Sequence, residues 1–129
     1  MNIREIVENG VKIAVVETAA QEIVLRDTAS ALDLAVSLQY ERQIDRIVIG
    51  KEAVTEEFFI LSTGVAGEIL QKFTNYGIKM AIFGDFSHYT SKPLQDFIRE
   101  SNRGDLFFFV PTQQEALQKL ANAKGGPVK

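Results

Sequence analysis

The chain contains no cysteine and no tryptophan, and only one histidine and three prolines, in 129 residues. Without thiols there is no disulfide, no thiolate nucleophile and no zinc–thiolate centre. His88, as the sole histidine, cannot build a multi-histidine metal site within one chain. No apolar run approaches the roughly 20 residues that a membrane-spanning helix needs. The opening residues MNIREIVENG lack the apolar stretch of a secretion signal, so a cytoplasmic location is expected. Formal net charge is only -3, and no block of like charge forms the basic stripe of a nucleic-acid binder. Neither a cofactor nor a metal is expected, and neither nucleic acid nor membrane is an expected partner.

What is present is ordinary globular composition, 46% apolar and 24% charged, enough for one core without staples. The boundaries expected are a single α/β domain over residues 1–124 and a flexible tail over 125–129. Ile3 to Glu8, Asn9-Gly10 and Val11 to Glu17 read as a β-hairpin, because Asn-Gly suits the positive φ angles of a type I′ turn. Thr18 to Arg26 fits a short strand or a helical turn equally. Asp27 is placed to cap a helix over Thr28 to Glu41, whose apolar residues Ala31, Leu32, Leu34, Ala35 and Leu38 share a face.

Ile47 to Gly50 is a short apolar run of the kind buried inside a parallel sheet. From Thr55 the pattern predicts a short helix, a break at Ser62-Thr63-Gly64, and a longer helix over Ser62 to Tyr76 stopped by Gly77. Lys79 to Gly84 and Leu106 to Val110 are strands. Between them, a loop over Asp85 to Thr90 leads to a helix capped by Ser91 and ended by Gly104, with Pro93 in its first turn. Thr112 and Glu115 form a capping box for a last helix over Gln113 to Asn122. Strand and helix alternate after the hairpin. The expected fold is therefore a small α/β domain with a mixed, mostly parallel sheet of about five strands, an antiparallel hairpin edge and crossover helices.

Ligands of open α/β sheets sit beyond the carboxyl ends of the strands. Those ends are Lys51 and Glu52, the loop Asp85 to Ser91, and Pro111-Thr112. Ser62-Thr63-Gly64 reads as a cap with a packing glycine, or as a hydroxyl or anion site at a helix start. It is no phosphate-binding loop, since GxxxxGK[ST] is missing. Asp85, Ser87 and His88 bring an acid, a hydroxyl and an imidazole to one loop, but without a GxSxG elbow they read first as turn residues. Glu56 and Glu57 suit a first helical turn, as does Glu68 after the break. With Glu52 they would serve metal or glycosidase chemistry only by converging on one cleft. Phe107-Phe108-Phe109 requires a sheet covered on both faces, or one face kept for a partner.

The stretches LSTGVAGEILQKFTNYGIKMAIFGDFS, SKPLQDFIRESNRG and FFFVP resemble a bacterial family known only as a domain of unknown function, number 4180. The resemblance runs from about Val11 to Leu120 and implies no activity. More distantly, the order of elements is similar to that of STAS domains, the fold of anti-sigma factor antagonists. That resemblance puts the antagonists' phosphorylation site on Ser62, with Thr63, Gly64 and Gly77 at matching positions. Leu61 stands where the antagonists have aspartate, and Thr55 to Ile60 is additional.

The reading that follows is a non-enzymatic cytoplasmic module of STAS-like type. It would bind a protein partner or a second copy of itself through the helix Ser62 to Tyr76 and the loop Asp85 to Ser91, with Ser62 as the phosphorylation candidate. The alternative is a protein, possibly an enzyme, that binds a small molecule or anion among Lys51, Ser62, Thr63, Asp85, Ser87 and His88.

Overall fold

A computed structural model describes residues 1–124. The tail expected over 125–129 lies outside the described residues. Strands β1 (Asn2–Glu8) and β2 (Val11–Glu17) form the hairpin, followed by α1 (Thr28–Arg42), β3 (Arg46–Gly50), α2 (Val65–Asn75), β4 (Lys79–Phe83), α3 (Lys92–Arg103), β5 (Phe107–Val110) and α4 (Gln113–Asn122). Asn9 and Gly10 take φ of 52° and 76°, as a type I′ turn demands. β1 pairs with β2 antiparallel along its whole length, and every later pairing is parallel. The sheet order is β1-β2-β3-β4-β5. The expected mixed five-stranded sheet with a hairpin edge is the observed one.

Because each parallel strand is laid down beside the last in one direction, crossovers of constant hand place their helices on one face. Accordingly α1, α2 and α3 share a core with Ala14, Val16, Ile47, Ile49, Met80, Ile82 and Phe109. α4 follows the last strand and crosses back over the other face, against Ile13, Val15, Val48, Ala81, Phe108 and Val110. The alternation of Phe108 and Phe109 between these two cores is what the run of three phenylalanines requires.

Local chemistry fixes the helix ends. Asp27 accepts from the Ser30 amide while the Ser30 side chain accepts from the Asp27 amide, a full capping box. Ser91 caps α3 and Thr112 caps α4. Glu115 accepts from the Thr112 hydroxyl. After α2, the Gly77 and Ile78 amides return to the Thr74 and Phe73 carbonyls, the paired bonds of a Schellman stop.

The segment from Lys51 to Thr63 differs from expectation. It forms three separate 3₁₀ turns, Lys51–Ala53, Glu56–Phe59 and Leu61–Thr63, and no short α-helix. Thr55 caps none of them with its side chain. The cause is tertiary. Val24 and Leu25 donate to the Ala53 carbonyl, Thr55 donates back to Leu25, and Leu25 forms a parallel bridge with Val54. These bonds hold Val54 and Thr55 out of helical conformation, so no α-helix can propagate through them. α2 then begins at Val65 behind Gly64, not at Ser62.

Candidate functional site

The 3₁₀ segment and the β4–α3 loop meet at the carboxyl end of the sheet. Phe58 and Phe59 are buried by the second 3₁₀ turn and start a column of rings. Phe58 lies 6.3 Å from Phe109 and 5.1 Å from Phe59. Phe59 stacks on Tyr89 at 5.1 Å and 18°, and Phe86 fills the angle between Phe59, Tyr89 and Phe109. His88 closes the column at the surface, 4.2 Å from the Tyr89 ring. Such contacts are each worth about 0.5–1.5 kcal/mol beyond burial, so the loop is anchored by its aromatics.

Two polar bonds add to this. The Tyr89 hydroxyl donates to the Glu56 carboxylate at 2.9 Å, and the Gln95 side chain donates to the Tyr89 carbonyl at 3.1 Å. Burial, and then the hydrogen bond and charge of Glu56, raise the Tyr89 phenol above its ordinary value. Lys51 lies over the same rings, its Nζ 5.2 Å from the Tyr89 centroid and 5.9 Å from that of Phe59, within cation–π range. Its stem runs across Gly84, where φ is +155° and an added Cβ would stand 2.7 Å from Lys51 Cβ. Only glycine accommodates both that backbone and that contact.

The residues singled out from sequence are distributed over this region as follows. Ser62 and His88 line one open groove of about 430 Å³, together with Glu56, Phe59, Ile60 and Tyr89. Asp85 and Ser87 line a second concavity of about 540 Å³ with Phe86, Ile98 and Pro111. Lys51 belongs to neither lining. A ligand touching all of these would have to span the Lys51 side chain.

Asp85 accepts from the Ser87 amide at 2.9 Å. The Ser87 hydroxyl, then that amide, hold its carboxyl below the ordinary range. The single Thr63 hydroxyl proton is shared between the Glu57 and Ile60 carbonyls, both at 2.8 Å, and the oxygen accepts from the Val65 amide at 3.2 Å. Gly64 precedes α2 with φ of 80°. The carboxylates disperse. Glu56 binds Tyr89, Glu52 lines a third concavity near Glu17, and Glu68 lies in the first turn of α2. Among the described residues no group of three acidic or histidine side chains is arranged to hold a metal.

Sequence reasoning missed Tyr89, Glu56's role toward it, and the floor made by Phe59. Tyr89 and Glu56 are 33 residues apart, and no spacing rule joins them.

Residues 8–120 match the family model described as "Domain of unknown function (DUF4180)". The chain belongs to the DUF4180 family. The match runs from the end of β1 to the last turn of α4, so the groove, the aromatic column and most of both cores of this DUF4180 domain lie inside it. No curated protein matches the chain. Among solved structures it is similar to an anti-sigma-factor antagonist (STAS) domain protein from Planctomyces limnophilus. That similarity has 19% identity and a TM-score of 0.36, over 93% of this chain and 98% of that chain. The STAS-type likeness is thus present as a distant similarity, and no residue role is taken from it. No helix among the described residues of the DUF4180 domain is long and apolar enough to cross a membrane.

Proposed function

We propose that this protein is a non-enzymatic interaction module of the cytoplasm, and that a protein partner docks in the groove between the 3₁₀ segment and the β4–α3 loop. The observation that carries the reading is Ile60. It is a large apolar side chain left 50% exposed on the rim of a groove whose floor is the buried Phe59 and Leu94. A rigid aromatic floor with an exposed aliphatic rim is the composition of an interface anchor, where little ordering entropy opposes binding. The groove is open and shallow, which suits a side chain or peptide segment better than an engulfed metabolite.

Ser62 on the same rim is the proposed phosphorylation site. It is exposed and its hydroxyl makes no hydrogen bond among the described residues, whereas the Thr63 hydroxyl is committed to three. A phosphate there would bring roughly two negative charges to the groove edge, just ahead of the N-terminus of α2, and would change which partner fits.

A photo-crosslinking residue at Ile60 tests the docking surface in cells of the source organism. Discrete adducts are expected from position 60 and none from Tyr40, which is 80% exposed on α1 but outside the groove. Equal adducts from both positions would discard the groove. Incubation with extract and ATP should label Ser62 and spare Thr63, and labelling of neither would remove the switch.

A further inference from the structure

The two edges of the sheet are treated differently. At β5 the Asn102 side chain accepts from the Phe109 amide at 2.8 Å and donates to the Phe109 carbonyl at 3.0 Å, so one amide occupies the outward backbone groups as a neighbouring strand would. Among the described residues β1 has no such cover. No strand of the described residues pairs with its outer side, and it runs seven residues in unbroken register without a bulge. Val7 on it is 65% exposed. Long, regular, open edges are templates for another strand.

The hairpin geometry says which backbone groups are free. A two-residue turn is closed by a hydrogen-bonded pair, here Glu8 and Val11, and antiparallel pairs alternate from there. Asn2, Arg4, Ile6 and Glu8 therefore exchange bonds with β2, while Ile3, Glu5 and Val7 turn their amides and carbonyls outward. Side chains alternate as well. Ile6 packs on the α4 face and Ile3 on the three-helix face, so Arg4, Ile6 and Glu8 share the former.

A strand of the same chain can join this edge antiparallel about a two-fold axis normal to the sheet. Its register is then named by the residue on the axis. Centred on Arg4 it sets Arg4 against Arg4, and centred on Glu5 it sets Glu5 against Glu5, each a repulsive pair. Centred on Ile6, it sets Ile6 against Ile6, and Arg4 of each copy faces Glu8 of the other. Those positions are non-hydrogen-bonded pairs, where side chains approach most closely. Arg4 already holds Glu17 at 2.8 Å, which keeps its head on that face. Glu8 has no ion-pair partner among the described residues.

We infer that β1 is a self-association edge. Two copies join antiparallel with Ile6 on the two-fold axis, making one continuous ten-stranded sheet that leaves the groove at the carboxyl end of both copies free. The charges that elsewhere protect an edge favour this register over those centred on Arg4 or Glu5.

Light scattering on the eluting full chain should give twice the chain mass. Arg4→Glu alone and Glu8→Arg alone each set like charges opposite at two symmetric places and should weaken the dimer about tenfold or more. The double variant restores both pairs and should restore the dimer. A second measurement avoids dependence on affinity. Opposed non-hydrogen-bonded residues lie about 4.5 Å apart at Cα, within disulfide reach, and the chain has no other thiol. Mild oxidation should therefore crosslink Ile6→Cys into dimers but not Val7→Cys, which faces Glu5 of the second copy. A monomeric wild-type chain, a double variant no better than the singles, or equal crosslinking at both positions would each overturn the inference.

Discussion

At the scale of single residues, the site is decided by which hydroxyls are already occupied. Ser62 and Thr63 are neighbours of similar chemistry, yet Thr63 pins two turns while the Ser62 hydroxyl makes no hydrogen bond among the described residues. Tyr89 is the other committed hydroxyl, bonded to Glu56. Replacing it, Tyr89→Phe, keeps the ring in the column and removes one charge-assisted bond, a loss of about 1 kcal/mol at neutral pH. The two chains should separate further in alkali. The phenol's folded pKa is raised above the ordinary 10.0, so the folded state retains its proton while the unfolded chain ionises. The contribution is complete below pH 10.0 and is lost as pH rises from there toward the folded value. Lys79, whose pKa is lowered from 10.5 by burial and then by Arg46, acts with the opposite sign: stability rises with pH between the lowered value and 10.5. Lys79 is present in both chains, so its effect cancels in their difference. Urea denaturation across pH 8 to 11, roughly the window set by these groups, should show wild type losing stability above 10.0 more steeply than Tyr89→Phe. Parallel curves would mean that the phenol does not keep its proton in the fold.

At the scale of elements, most of the fold was legible because its signals are local. Asp27, Ser91 and Thr112 each cap the helix that follows them, Asn9-Gly10 turns the hairpin, and the apolar runs at Ile47, Met80 and Phe107 are strands. The segment Thr55 to Thr63 failed for the opposite reason. Its glutamates and leucine carry helical propensity, but hydrogen bonds with Leu25 hold the backbone at its start out of helix, and tertiary bonds override propensity. Ser62 consequently lies in a 3₁₀ turn ahead of α2, and the groove owes its shape to that turn. Thr63 is the element's internal fastener. Thr63→Val conserves volume but strands the Val65 amide and loses the bonds to Glu57 and Ile60. A cost of about 1–2 kcal/mol is expected, concentrated in residues 56–65. Amide exchange should quicken there and remain unchanged in β2 and β3. Uniform acceleration across the sheet would show instead that the turns unfold only with the whole domain.

At the scale of the molecule, the sheet has two unequal covers, and sequence left the second of them open. Three phenylalanines in a row called for burial on both sides or for one face kept for a partner, and nothing in Gln113 to Asn122 states that this helix supplies the second side. The missing information was Arg46. It sits at the start of β3, 1% exposed, beside Lys79 in the ladder, and donates to the Leu120 carbonyl in the last turn of α4. A cation at a helix C-terminus is favoured by the partial negative charge there, so a strand residue that looks out of place among RIVIG fixes where α4 ends. The nearest carboxylate, Asp45, is 4.0 Å away, and Nε has no partner among the described residues. The guanidinium's one side-chain hydrogen bond among the described residues is to the Leu120 carbonyl.

Two substitutions separate its packing from its charge. Arg46→Ala opens a cavity and leaves the Leu120 carbonyl bare, which should cost about 3 kcal/mol or more. Arg46→Met also bares the Leu120 carbonyl but keeps much of the stem's volume and relieves the repulsion with Lys79, so its cost should be smaller, about 1–2 kcal/mol. It should also let the Lys79 pKa climb back toward 10.5, because Arg46 is the second cause of its depression. Urea denaturation ranks the two variants, and exchange of the Ala116 to Ala121 amides shows whether α4 loosens first in Arg46→Ala. If Arg46→Met proves as damaging as Arg46→Ala, the guanidinium's bond to α4, and not the filling of space, holds the second face in place.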